Sequence, residues 1–344
     1  MPYSLSYHGK PDKTPLPYVG APMKPTLPLF ALFAWALAGC GAGRPQGSPV
    51  PGPPSAPAAA PPTVVMTGPV GRYESTPWTF STNSFVVEGP TGLVVVDLQF
   101  TPSQAERMVA EAERVTGKRV ALAVVLHPNP DKFNGVATLQ KHGVRVVTSA
   151  QVRGLIPAVY RQRTEAFHAR YAPDWPAATP APEPFGDLTT ELEAGGTRVR
   201  LHVLGAGCSE AHVAVEWDGG DGKHLFVGDL VGNGVHGWLE LGKTDEWLAR
   251  LAELRALRPR FVHPGRGATG GPELLDRQER YLRDVVDLVA RERPALPARD
   301  GAIARVKAGL VELYPDYGFD VFLDLGLPAV WARQAGGRGG RAGL

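Results

Sequence analysis

Two long apolar runs, separated by one segment of helix length, limit most strongly the folds open to this chain of 344 residues. The first run is "GLVVVDLQ" from residue 92, and the second is "RVALAVVLH" from residue 119. Unbroken runs of this kind are typical of strands that are covered on both faces. The segment "TPSQAERMVAEAERVTG" between them predicts a helix, with Thr101 as N-cap, Gln104 completing a capping box and Gly117 ending it. The pattern favours an α/β protein whose sheets lie between helical layers.

The remaining elements agree with this class. "WTFSTNSFVVEG", residues 78–89, predicts a strand before the first apolar run, and "TTELEAGGTRVRLHVLG" predicts a hairpin that turns at Gly195-Gly196. "HVAVEWDGGDGKHLFVGDL" predicts a second hairpin, and "RFVHPGRG" a last short strand with its loop. Helices are expected over 136–142, over 150–171, after Thr244, from Pro272 to Glu292 and in further segments to about Trp331.

The N-terminal region differs from the rest of the chain in its composition. Leu27 to Leu37 is an apolar segment that follows the short positive start Met23-Lys24, and it is too short for a membrane span of about 20 residues. It ends in "LAGC", which resembles the lipobox of bacterial lipoproteins. That resemblance implies cleavage before Cys40, lipidation of its thiol and export to the periplasm or the cell surface. A buried apolar segment is the alternative, and the sequence leaves both Met1 and Met23 open as the true start.

The domain prediction follows from these changes in composition. Residues 1–40 are the extension and signal, and 41–62 are a tether rich in Pro, Ala and Gly that has too few apolar residues for a core. Residues 63–270 are the main domain, 271–333 a helical C-terminal extension and 334–344 a disordered tail. The net charge of +2, without a basic block, predicts no nucleic-acid partner. The expected partners are the membrane, through the anchor, and a small molecule; the oligomeric state stays open.

Four loops at predicted strand ends carry side chains suited to metal chemistry. They are the His127-Pro-Asn129-Pro-Asp131-Lys132 segment, the "GAGCSEAH" segment with Cys208, Asp229 in "FVGDL", and "HPGRG" with His263 and Arg266. Their order and spacing resemble the metallo-β-lactamase fold superfamily, from about Asn83 to Gly267. The resemblance implies a four-layer αβ/βα sandwich with its site at one sheet edge. It also implies one or two zinc ions and hydrolysis by a metal-bound hydroxide.

The family's first zinc position, which calls for three histidines, maps onto His127, Asn129 and Cys208. An asparagine carbonyl is a weak zinc ligand, whereas a thiolate is a strong one. The chain is therefore expected to hold at most one zinc ion, through His127, Cys208 and Asp229, with a metal-free site as the equal alternative. Asp131 is the candidate catalytic residue that orients water. Asn83, Asp97 and His263 are expected to support the loops.

The family's second zinc position maps onto Asp131, Lys132, Asp229 and Arg266. An ammonium and a guanidinium cannot ligate a cation, because neither offers a lone pair. Their positive charges can instead neutralise the two carboxylates, which would be costly to bury alone. The sequence thus predicts that salt bridges have replaced the second metal.

Three functions remain open from the sequence. The first is a hydrolase of an ester, thioester, amide or lactone that uses one metal ion. The second is a non-catalytic binding protein that keeps the cleft and has lost its zinc. The third is a metal-free enzyme in which Cys208 is the nucleophile, its pKa lowered by nearby cations.

Overall fold

This computed structural model describes residues 61–339, which form two β-sheets packed face to face. The predicted signal segment, Cys40 and the tether up to residue 60 lie outside the described residues. No helix within residues 61–339 has the length and apolar character that a membrane span needs.

The first sheet has seven strands in sequential order, β1 to β7. Antiparallel pairing joins β1 through β4, and parallel pairing joins β4 through β7. The strands are Val64–Thr67 (β1), Val70–Glu74 (β2), Asn83–Glu88 (β3), Leu93–Val96 (β4), Val120–Val124 (β5), Arg145–Thr148 (β6) and Glu183–Pro184 (β7). Every residue of β4 is buried, as its unbroken apolar run predicts.

The second sheet has five strands in the order β12-β11-β10-β9-β8. Only β11 and β12 pair in parallel. The strands are Thr190–Ala194 (β8), Thr197–Leu204 (β9), His212–Asp218 (β10), Lys223–Gly232 (β11) and Phe261–Arg266 (β12). Both predicted hairpins are confirmed, the first turning at Gly195 and Gly196, each with a positive φ.

Helices cover the outer face of each sheet. They are Pro102–Thr116 (α1), Pro130–Phe133 (α2), Val136–Lys141 (α3), Ala150–Tyr171 (α4), Thr244–Ala256 (α5), Glu273–Arg291 (α6), Ala302–Leu313 (α7) and Val321–Gly339 (α8). Side chains of α1, α3 and α4 share a core with the first sheet, and those of α5 through α8 share one with the second. The result is the predicted four-layer αβ/βα sandwich.

Two local predictions were wrong. The strand predicted from Trp78 begins at Asn83, because Pro77–Thr79 forms a 3-10 turn; the β1-β2 hairpin before it was not predicted. Thr101 is the N-cap of α1 as predicted, although its side chain makes no capping hydrogen bond. Gln104 does not complete a capping box, since its side chain accepts a hydrogen bond from Tyr73.

The C-terminal helices belong to the same core as α5. Leu282 of α6, Leu310 of α7 and Trp331 of α8 are buried in it, and the indole of Trp331 donates to the carbonyl of Ala295. The predicted disordered tail was wrong for residues 334–339, because α8 runs to Gly339. Residues 340–344 lie outside the described residues.

Candidate functional site

The loop after β5 places the predicted metal-binding segment at the junction of the two sheets. The backbone N–H of Val213, in β10, donates to the carbonyl of Leu126 at 2.6 Å, which ties the loop to the second sheet. The short helix α2 then starts at Pro130, where a missing N–H costs nothing. Asp131 and Lys132 therefore both point into the interior, with exposures of 4% and 0%.

Lys132 is the centre of a buried ion-pair cluster. Its Nζ lies 2.9 Å from Oδ1 of Asp229, 3.1 Å from Oδ2 of Asp131 and 3.7 Å from Oδ2 of Asp97. A lysine is rarely buried fully unless paired, and here three carboxylates surround one ammonium. The contact with Asp229 connects α2, which follows β5, with β11.

Arg266, on β12, completes the cluster from the opposite side. Its Nη1 donates to Oδ2 of Asp229 at 2.6 Å, and its Nη2 donates to Oδ2 of Asp131 at 2.8 Å. Its Nε donates to the carbonyl of Phe80 at 3.0 Å, so all three guanidinium nitrogens have partners. Thr82 donates its hydroxyl to the same Asp131 oxygen at 3.2 Å. One planar cation thus bridges the two carboxylates.

Glycine at 265 is what allows β12 to come so close. A Cβ atom added to Gly265 would lie 2.0 Å from Oδ1 of Asp229, well inside any tolerable contact. The "HPGRG" motif therefore brings its arginine against the carboxylates because the residue before it has no side chain.

The charges of the cluster sustain one another. Burial alone would raise the pKa of Asp229, but Arg266 and Lys132 more than offset it and hold that pKa well below its usual range. Burial alone would likewise lower the pKa of Lys132 and raise the pKa of Asp131. Their charged partners outweigh this effect, so the pKa of Lys132 is raised and that of Asp131 is lowered. All four groups are charged at neutral pH, and their formal charges sum to zero.

Two of the predicted supporting residues hold the loops of the cluster. The side-chain amide of Asn83 donates to the carbonyls of Pro264 at 3.0 Å and Gly267 at 2.7 Å, on either side of Arg266. Oδ1 of Asp97 accepts from the N–H of Leu126 at 3.0 Å. Burial raises the pKa of Asp97 to about 7, although Lys132 opposes the shift.

His263 does not lie with the predicted ligands. Its ring stacks on Phe226 at 4.2 Å between centroids, and its nitrogens bond His224 at 3.0 Å and Thr269 at 2.9 Å. Burial lowers its pKa to about 3. It packs between the sheets as a neutral imidazole, and its support is to the core rather than to the cluster.

Beside the ion pairs, the structure gathers a second group: His127, Cys208 and His212. One ligand atom from each lies within 4.8 Å of the others, and Sγ of Cys208 is 3.2 Å from Nε2 of His212. Their exposures are 0%, 2% and 0%. Asp229, the predicted third ligand, lies 3.7 Å from Nε2 of His127 through Oδ2, the oxygen that also receives Arg266.

The Nδ1 atom of each imidazole in this group has a hydrogen-bond partner. Nδ1 of His127 lies 3.0 Å from the hydroxyl of Ser209, and Nδ1 of His212 lies 3.1 Å from the carbonyl of Gly205. A carbonyl only accepts, so His212 carries its proton on Nδ1 and leaves Nε2 as an acceptor. Burial lowers the pKa of His127 to about 4 and that of His212 to about 3, which keeps both rings neutral.

Cys208 is not set up as a nucleophile. Burial raises the pKa of its thiol well above the usual value, although Lys132 opposes the shift. Reactive cysteines are thiolates with some solvent access, and this thiol has neither property. The geometry therefore speaks against the Cys208-dependent enzyme.

A cleft opens directly over the ion pairs. Its volume is about 370 Å³, including solvent at the mouth, and its floor is formed by Asp131, Asp229 and Arg266. Five aromatic side chains dominate the walls: Phe80, Phe100, Phe167, Trp238 and Phe322. Phe322 comes from α8, so the C-terminal extension contributes to the cleft.

The polar groups on the cleft wall are mostly satisfied within the protein. Nη1 of Arg163 donates to Glu240 at 3.1 Å, its Nη2 forms a second bond to the same carboxylate, and its guanidinium lies 5.3 Å from the Trp238 ring centroid. Trp238 also donates its indole N–H to Glu240 at 3.0 Å. Asn129, one of the former ligand positions, lines the cleft and is half-buried.

Comparison with known families decides the relationship. The family model of the metallo-beta-lactamase superfamily matches residues 77–266, more than half of the chain. The chain belongs to the metallo-beta-lactamase superfamily. The matched segment runs from the 3-10 turn before β3 to Arg266, so it contains both the ion-pair cluster and the His127–Cys208–His212 group.

Individual superfamily members are only distantly similar. The metallo-beta-lactamase type 2 of Bacillus sp. (strain 170) is 25% identical over 135 residues, and that of Bacillus cereus is 24% identical over 135 residues. Each match covers 39% of this chain and 45% of the relative, so the chain spans less than half the length of these curated relatives.

Solved structures show the same fold. A metallo-beta-lactamase from Pontibacter korlensis has 20% identity and a TM-score of 0.51, covering 64% of this chain and 99% of its own. The metallo-beta-lactamase FIM-1 from Pseudomonas aeruginosa, solved in its mono-zinc form, has 18% identity and a TM-score of 0.52, covering 66% and 97%.

The superfamily's two zinc positions differ in whether the residues of this chain can hold an ion. At the second, Lys132 and Arg266 already take up both carboxylates, and neither cation has a lone pair for a metal. The residues present do not suit an ion there. At the first, His127 and Cys208 are joined by His212, while Asn129 faces the cleft. Their donors do suit one ion, because thiolate and imidazole are both zinc ligands.

The sequence-based site prediction lacked His212 and the aromatic walls. The useful signal for His212 was its spacing: it stands four residues after Cys208, at the start of β10. Phe80 and Phe322 lie 242 positions apart in the chain, and no local pattern joins them. Trp238 lines the cleft, whereas Trp247 and Trp331 are buried in the core.

Proposed function

We propose that this protein binds a neutral, ring-containing small molecule in the cleft above Arg266 and does not hydrolyse it through a two-metal centre. The observation that carries the proposal is the saturation of Asp131 and Asp229 by Lys132 and Arg266, at 2.6 to 3.1 Å. Superfamily hydrolysis needs a metal-bound hydroxide, and the groups that would hold the second ion are committed to ion pairs.

The character of the cleft supports a neutral ligand. The charged side chains that line the cleft are two carboxylates, Asp131 and Asp229, and two guanidinium groups, Arg163 and Arg266, so the lining has no net formal charge. A charged ligand would lose its hydration water on entering the cleft and would find no unpaired charge of opposite sign there. Aromatic walls instead favour a flat apolar ring, which gains contact area and ring stacking. The half-buried Asn129 offers an amide to a polar atom of such a ligand.

The contacts of Asp131 also argue against the catalytic role predicted for it. Its Oδ2 receives Arg266, Thr82 and Lys132, so that oxygen has little capacity left for orienting water. A single-metal hydrolase remains the second candidate, because His127, Cys208 and His212 could hold one ion. None of those three lines the cleft, however, so such an ion would not face a substrate there.

Two dyes of one skeleton test the proposal. N-Phenyl-1-naphthylamine is neutral, whereas 8-anilinonaphthalene-1-sulfonate adds a negative charge. We expect the neutral dye to brighten on binding at one site per chain and the sulfonate to bind at least tenfold more weakly. A chromogenic cephalosporin should stay intact. Chelator-sensitive hydrolysis of it, or equal binding of both dyes, would overturn the proposal.

We also propose that the cleft works at a membrane surface in an exported lipoprotein. The support is the apolar segment ending in "LAGC", with Cys40 where a lipobox would place it. Expression of the full chain in a Gram-negative bacterium tests this: wild type should fractionate with membranes and incorporate labelled palmitate, and Cys40→Ser should lose the label. A wild-type chain without label would contradict the anchor.

A further inference from the structure

We propose that His127, Cys208 and His212 bind one thiophilic metal cation at a closed site beneath the cleft, apart from the ion-pair cluster. The group uses His212, four residues beyond Cys208, in place of the half-buried Asn129. The site does not depend on the ligand proposed for the cleft.

The orientation of the side chains is the first argument. Nε2 of His212 faces Sγ of Cys208 at 3.2 Å, a separation close to that of two ligands on one ion with bonds of about 2.0 to 2.3 Å. The Nδ1 atom of the same ring is fixed by the carbonyl of Gly205. Metal-ligating histidines are commonly oriented in this way by an outer hydrogen bond.

The second argument is a buried atom that lacks a partner. Nε2 of His127 forms no hydrogen bond with any side chain or backbone group in residues 61–339, although its ring is fully buried. Its Nδ1 is held by Ser209 at 3.0 Å, so Nε2 is the nitrogen of this ring that is left without a hydrogen-bond partner. Leaving such a buried atom unsatisfied is unfavourable, and a metal ion shared with Cys208 and His212 would satisfy it.

The chemistry of the donors defines the class of ion. One thiolate and two imidazoles form a soft set that suits copper(I) or zinc(II) and disfavours magnesium or calcium. On binding, a metal–sulfur bond forms and the thiol of Cys208 releases its proton to solvent. A monovalent ion then leaves the buried site electrically neutral, since the nearest carboxylate, Asp229, is already paired with Lys132 and Arg266.

The burial of the three ligand side chains indicates a structural role for the ion. All three side chains are at most 2% exposed and none lines the cleft, so no ligand position opens toward a substrate. Closed sites of this kind are structural. The ion would join the loop after β5 to the β9–β10 connection, and thereby join the two sheets beneath the cleft.

Metal binding by the full chain and four variants tests the inference. Copper(I), supplied anaerobically in competition with a chromogenic chelator, and zinc(II) are titrated in separate arms. We expect one equivalent of at least one ion in wild type, none in Cys208→Ser and at least tenfold weaker binding in His212→Gln. Asn129→Ala and Cys40→Ser are the matched controls and should bind as wild type does.

The bound ion should also raise the melting temperature of wild type and leave that of Cys208→Ser unchanged. Melting of the metal-free variants shows that each has folded, and Cys208→Ser alone suffices if His212→Gln does not fold. Absence of binding in both arms would overturn the inference. So would binding that survives in Cys208→Ser, or binding that is lost in Asn129→Ala.

Discussion

Nζ of Lys132 lies 2.9 Å from Oδ1 of Asp229, at a place where the lysine has no exposed surface. Arg266 reaches the other oxygen of the same carboxylate at 2.6 Å. A metal ion at this position would require two lone-pair donors where the chain supplies two cations. The superfamily fold is thus retained around a centre whose positive charge is built into the protein.

Replacing Lys132 by methionine should destabilise the protein by about 3–5 kcal/mol, because Asp131 and Asp229 would stay buried with one cation fewer. Chemical denaturation measures the loss. Lys118→Met is the matched control: Lys118 pairs with Glu88 at 2.7 Å, but both side chains are about 30% exposed, so the change should stay below about 1 kcal/mol. Equal losses in the two variants would show that burial gives the cluster no special role.

Asp97→Asn should flatten the dependence of stability on pH. Burial raises the pKa of Asp97 to about 7, so between pH 4 and 7 the folded state holds a proton that the unfolded state has released. This carboxyl therefore makes the protein less stable as pH rises through that range, by up to about 1.4 kcal/mol per unit. Its φ of 64° and its bond from Leu126 are both compatible with asparagine.

The difference between wild type and Asp97→Asn, measured by denaturation at several pH values, isolates this one group. Asp131 and Asp229 have lowered pKa values and act with the opposite sign, but they are present in both proteins. We expect the variant to gain stability relative to wild type as pH rises from 4 to 7. Parallel curves would mean that Asp97 is ionised throughout.

Phe322→Leu should weaken binding of N-phenyl-1-naphthylamine by up to about tenfold. The ring of Phe322 lines the cleft and packs edge-on against Trp238 at 5.0 Å between centroids, and loss of a stacked ring typically costs about 0.5–1.5 kcal/mol. Leu325→Ala, on the same helix but 42% exposed, is the control and should bind normally. Unchanged affinity in Phe322→Leu would place the dye elsewhere.

Much of the fold could be predicted because its strongest signals are local. The Leu93–Val96 run is buried on both faces, and the paired glycines at 195 and 196 turn a hairpin, as their conformational freedom suggests. The β1-β2 hairpin was missed because "VVMTGPVGRYE" is short and weakly alternating. Gln104 satisfied a capping pattern, but a partner from another element, Tyr73, took its side chain.

The candidate site could also be predicted only in part. The pairing of Lys132 and Arg266 with Asp131 and Asp229 could be predicted because the family resemblance places these four residues at one zinc position, where buried carboxylates need cations. The grouping of Cys208 with His212 depends on how the chain turns between β9 and β10, which composition does not specify. The aromatic cleft could not be foreseen, because Phe322 reaches it only through the packing of a helix far along the chain.

Zinc retained per chain tests the central claim most directly. The full chain is saturated with zinc, passed through a desalting column and analysed by mass spectrometry for metal and protein. If protein cations have taken the second metal's place, wild type retains at most one equivalent and Cys208→Ser retains none. Two equivalents in wild type would contradict the account, because the second ion would have to lie between Asp131 and Asp229. One equivalent in Cys208→Ser would contradict the assignment of the retained ion to Cys208.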